Sequence, residues 1–200
     1  MARQLIAIML TALALPLMAA PALAQGKGVN CMHGAYTDAQ RSELAALGPG
    51  MTISDDEIED AAFDQIGNIA MTAIESCIGR NGWNQEQAFY ATLYEMGRLN
   101  EAAYRGSGQL SAEQLRLLDD ALATGNRDRL WQVIEAGVIG GIGDSGAEVS
   151  DGDAMILGVF LISAGLDVEG EDEMVAEKVG ILLGFMGLQR FGRREFTNLN

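Results

Sequence analysis

Ala154-Met-Ile-Leu-Gly-Val-Phe-Leu-Ile-Ser-Ala-Gly-Leu166 and Val179-Gly-Ile-Leu-Leu-Gly-Phe-Met-Gly-Leu188 are two apolar runs separated by an acidic stretch, Asp167 to Glu173. They are either a membrane hairpin or the buried centre of a water-soluble bundle. A helix needs roughly 20 apolar residues to cross a bilayer, and these runs hold 13 and 10. Ser150, followed by Asp153, marks a soluble helix start. Arg190, Arg193 and Arg194 follow the second run, where cations complement a helix C-terminus. The stretch therefore predicts a helical hairpin buried in a soluble bundle, with no transmembrane span. Gly137/Gly141 and Gly180/Gly184 are small-xxx-small pairs, a spacing that lets helices approach closely. Gly180, Gly184, Phe160 and Phe185 are the candidate binding residues, for an unknown protein partner or a small apolar ligand.

Working outward, residues 1–24 read as a secretory signal peptide. Arg3 gives a basic start, Leu5 to Ala20 is apolar, and Ala22-Leu-Ala24 is a small-residue cleavage site. The expectation is an exported chain, periplasmic or extracellular, beginning at Gln25. Residues 25–36 form an N-terminal arm, 37–190 a single helical domain, and 191–200 a flexible tail. The arm lacks periodicity and reads as extended.

The whole chain carries a net charge of −15, and loss of Arg3 makes the exported part more negative by one unit. Such a surface excludes nucleic acid as a partner, because that binding depends on Lys and Arg releasing condensed counterions. Cys31 and Cys77 are the only cysteines. In an oxidising compartment an even pair predicts one disulfide, tying the arm to the first long helix.

Helix signals fill the rest. Thr37 opens a short helix that Gly48-Pro-Gly50 stops. Ser54 and Glu57 form a capping box for a long helix whose face is Ile58, Ala62, Ile66, Ile69, Ala73 and Cys77. Asn84 starts a third helix with the stripe Phe89, Leu93, Met96, Leu99 and Ala103. Ser111 caps a fourth carrying Leu115, Leu118 and Leu122, and a fifth covers Asp128 to Gly137 with Leu130, Trp131, Ile134 and Val138 inward. Ile139 to Val149 reads as irregular. The prediction is an all-α, single bundle of about seven helices.

The chemistry-bearing patterns are sparse. His33 is the only histidine, no phosphate-binding loop is present, and no set of metal ligands stands out, so no cofactor and no metal are expected. Gly143-Asp-Ser-Gly146 resembles the nucleophile segment of chymotrypsin-like proteases, but Ala147-Glu148 follow where that family has Gly and Pro, and its two β-barrels have no strands here. Leu118 to Gly125 with Leu130 to Gly137 resembles the two-helix body of an ankyrin repeat, without the Thr-Pro-Leu-His turn. Asp151/Asp153 and Asp167/Glu169/Glu171 resemble fragments of calcium loops lacking the Gly and the bidentate Glu. Glu75-Ser76 resembles the Glu-Ser pair of lysozyme-like lytic transglycosylases. That resemblance implies Glu75 as general acid on cell-wall glycan, at the base of a cleft with an aromatic wall from Tyr90 or Trp83.

The leading expectation is thus a non-enzymatic exported binding or structural domain. The alternatives are a glycan-active enzyme using Glu75 and a protein held at a membrane surface by residues 154–188.

Overall fold

Side-chain caps fix the helix starts. The Gln40 amide donates to Thr37 Oγ1 and the Thr37 amide to Gln40 Oε1. Asn84 with Gln87 and Ser111 with Gln114 repeat that reciprocal box, and Ser150 accepts from the Asp153 amide. Each cap satisfies donors that a helix start otherwise leaves orphaned. In the computed structural model, which describes residues 28–51, 61–142, 150–166 and 174–199, these caps open α1 (Asp38–Leu47), α3 (Gln85–Gly106), α4 (Ala112–Ala123) and α6 (Asp151–Ser163). The remaining helices are α2 (Ala61–Asn81), α5 (Asp128–Ile142) and α7 (Val175–Asn198). Among the described residues the architecture is all-α, without strands. The capping box at Ser54 lies outside them.

The bundle is organised on α7. It buries Val175, Val179, Leu182, Leu183 and Phe196, and each such side chain removes apolar surface worth about 1.5–3 kcal/mol. Its main partner is α3, with α5 on another side, while α2 packs on α3. The predicted α2 face holds: Ala62, Ile66, Ile69, Ala73 and Cys77 are all buried. Cys31 and Cys77 form a disulfide, their Cα atoms 6.0 Å apart. Among the described residues no helix is long and apolar enough to cross a membrane.

A polar network runs through the junction of arm, α3 and α7. Glu95 is fully buried. Tyr36 donates its hydroxyl to Glu95 Oε1, and Arg98 donates through Nε at 3.0 Å and Nη2 at 2.6 Å to the same carboxylate. One residue earlier, the Tyr94 hydroxyl accepts from Arg193 Nη2 at 2.8 Å and pairs with His33 Nε2 at 2.9 Å.

Several expectations are corrected. The arm is not extended: Val29–Gly34 is a 3-10 segment that buries Val29, Cys31 and Met32, because the disulfide and the Tyr36–Glu95 bond hold it against the core. α5 does not stop at Gly137 but runs to Ile142, since its remaining backbone continues the helical hydrogen bonding through Gly140 and Gly141. The segment from residue 191 is helical to Asn198. α7 continues to Asn198 because Phe196 is buried, edge-on to Trp83 with ring centroids 5.1 Å apart. The stripe on α3 holds in part: Leu99 and Ala103 are buried, Leu93 and Met96 half-buried, and Phe89 exposed, while Ala91, Tyr94, Glu95, Gly97 and Asn100 widen the buried face. The two closing runs are buried unequally. α7 is central, whereas α6 buries Phe160 and Leu161 and leaves Met155, Val159 and Ile162 61–69% exposed.

Candidate functional site

α5 packs on α7. They meet closely where Gly187 of α7 faces Ile134 of α5; a Cβ on Gly187 would lie 2.5 Å from Ile134 Cγ2. Nearer the start of α7, around Gly180 and Gly184, a cavity opens, and α6 adds Asp153 and Leu157 to its lining. The resulting groove has a volume of about 330 Å³, the lower end of the range typical of small-molecule sites. Its walls are Val133, Ile134 and Val138 of α5, Leu157 of α6, and Leu183 of α7, interrupted by Gly137, Gly180 and Gly184.

The glycines make the space. A Cβ added to Gly137, Gly180 or Gly184 would meet no atom within 4 Å. The small-xxx-small spacing therefore does the opposite of what it predicts: these backbones are not drawn together but form the open walls of a groove. Residues 180, 183 and 184 lie on one α7 face, as do 133, 134, 137 and 138 on α5, which is why helical spacing lines one cavity with both.

The rim carries one charged group, Asp153. Its position is fixed twice, by Ser150 Oγ at 2.8 Å and by Arg129 Nη2 at 3.1 Å. Among the described residues the groove wall contains no histidine, cysteine, serine or lysine. It can shelter apolar surface and hydrogen-bond one polar end.

Of the four candidate residues, Gly180 and Gly184 line the groove. Phe160 does not: it is core, with the Arg127 guanidinium 5.3 Å over its ring. Phe185 does not either; it lies edge-on to Tyr104, 6.0 Å between centroids, on the α3 side of α7. On α7, Phe185 follows Gly184 directly, and the helix turns it away from the face set by 180 and 184. Asp153 and Leu157 carried no sequence signal for this role, because α6 is apolar on every side.

Glu75 is exposed on α2 and lines none of the cavities described here. The aromatic wall it needs is spent elsewhere, Trp83 against Phe196 and Tyr90 against Phe191. Gly143 to Gly146 and Asp167 to Glu171 lie outside the described residues. No cluster of three His, Cys, Asp or Glu side chains placed to hold a metal occurs among the described residues. Comparison of the chain with protein-family models, with curated proteins and with solved structures finds no match.

Proposed function

We propose that this is an exported, non-enzymatic binding protein whose groove between α5, α6 and α7 takes a small apolar ligand. The observation that supports it is the empty space over Gly137, Gly180 and Gly184. An apolar wall left open to water is a standing cost that an apolar occupant removes. Export rests on the leader sequence of residues 1–24 and is compatible with the Cys31–Cys77 disulfide. N-terminal sequencing of the protein recovered from its own host reads Gln25 if the leader is cleaved as proposed.

The binding test is titration of the purified protein with a neutral apolar fluorophore. The expected result is saturable 1:1 binding that the Gly180→Leu/Gly184→Leu double variant weakens at least tenfold, with the melting temperature retained. Equal binding by the double variant sinks the reading.

A second reading is attachment to a membrane surface through α6. It is favoured by the exposed line Met155, Val159 and Ile162, three residues on one helical face. Flotation with neutral lipid vesicles tests it; Met155→Ser/Ile162→Ser must abolish flotation if α6 is the anchor.

A further inference from the structure

A second cavity, of about 520 Å³, lies between the arm and α1 on one side and α3 on the other. Its lining is mixed in chemistry. Leu44, Leu99, Ala102 and Ala103 are apolar, and His33, Tyr36, Arg41 and Arg98 are polar or charged. Among the described residues no Asp or Glu lines it.

The donors are oriented. Arg98 gives Nε and Nη2 to the buried Glu95, which locks the plane of the guanidinium, and the side chain keeps 28% of its surface exposed. Tyr94 accepts from Arg193 and pairs with His33 Nε2, which leaves Nδ1 as the imidazole's other polar atom. Burial, then Arg98, holds His33 below its ordinary value. Arg41 stiffens the rim by donating to the carbonyls of His33 and Tyr36.

We infer that this cavity is a binding site for a monocarboxylate with a short apolar body, its carboxylate on Arg98 and His33 and its body against Leu44, Leu99 and Ala103. A guanidinium held on one edge presents the other for charge-assisted bonds to a carboxylate, and the apolar part of the lining favours an acid with a hydrocarbon tail over a bare oxyanion. The site is separate from the α5–α6–α7 groove and does not rest on it.

Calorimetric titration of the purified protein with octanoate, octan-1-ol and inorganic phosphate tests this. Octanoate is expected to bind saturably, at least tenfold tighter than either of the others. Ala102→Phe, which fills the cavity from an exposed rim position without touching the charges, is expected to weaken octanoate at least tenfold with an unchanged melting temperature. Gly184→Leu, in the other groove, is expected to leave octanoate binding unaltered. The assignment is overturned if octanol or phosphate matches octanoate, if Ala102→Phe binds normally, or if Gly184→Leu abolishes binding.

Discussion

A Cβ placed on Gly192 of α7 would sit 2.5 Å from the backbone nitrogen of Tyr94 in α3. One crossing along, a Cβ on Gly97 of α3 would sit 2.6 Å from the carbonyl oxygen of Phe185. The two longest-packed helices of the bundle therefore meet backbone to backbone, and neither obstruction is a side chain that can rotate aside. This intimacy also explains why Tyr94 and Arg193 are within hydrogen-bond reach across the interface.

Glycine substitutions should therefore divide into two classes. Gly97→Ala and Gly192→Ala are expected to cost on the order of 3 kcal/mol each by forcing the helices apart. Gly180→Ala and Gly184→Ala, which point into open space, are expected to stabilise by up to about 1 kcal/mol through helix propensity. Urea denaturation of the purified variants measures both. Destabilisation at Gly184 equal to that at Gly192 would mean that the groove is closed.

The contrast shows what the sequence can reveal. The helix starts were legible because a cap is a local event, visible in Thr37, Asn84, Ser111 and Ser150. The α2 face was legible because it packs on one side only. The full width of the buried α3 face was not, because Gly97 and Glu95 are buried for reasons that reside in α7 and the arm. Glycine spacing identified Gly180 and Gly184 as unusual but gave the wrong consequence, since the same absent side chain permits either contact or a void. The Arg98 cavity left no trace, because His33 and Arg98 are brought together only by the docked arm.

Glu95 is the second test of long-range order. Arg98→Met leaves a fully buried carboxylate without its cation and is expected to cost about 3–5 kcal/mol. The triple variant Tyr36→Phe/Glu95→Met/Arg98→Met removes every member of the group and is expected to recover most of that loss, because no buried polar atom is then orphaned. Chemical denaturation of the two variants distinguishes an electrostatic cause from lost packing, for which the triple variant would be the worse.

The disulfide closes 46 residues, for which loop entropy gives about 4 kcal/mol. Cys31 and Cys77 are both buried, so reductant should act only as the arm detaches from α2. Cys31→Ser/Cys77→Ser is expected to unfold at lower urea by about that free energy, and the intact mass of the unaltered protein should rise by two hydrogens on denaturing reduction. No mass change would refute the bridge in the purified protein.

The same arm should set the alkaline limit of stability. Burial, followed by the Glu95 carboxylate, pushes the Tyr36 phenol well above its ordinary value. Burial and then Glu177 do the same for Tyr104, whose hydroxyl has no hydrogen-bond partner among the described residues. Both phenols are thus neutral in the fold at pH values where the unfolded chain releases their protons. The folded state binds more protons than the unfolded state above about pH 10, so stability falls as pH rises from there and is complete below it. Urea midpoints measured between pH 8 and pH 11.5 should be level at first and then decline. Tyr36→Phe removes one of the two groups and should flatten that decline, although it lowers the midpoint at pH 8 by the loss of one hydrogen bond to a charged acceptor. A decline as steep in Tyr36→Phe as in the unaltered protein would show that the arm is already detached before its tyrosine ionises.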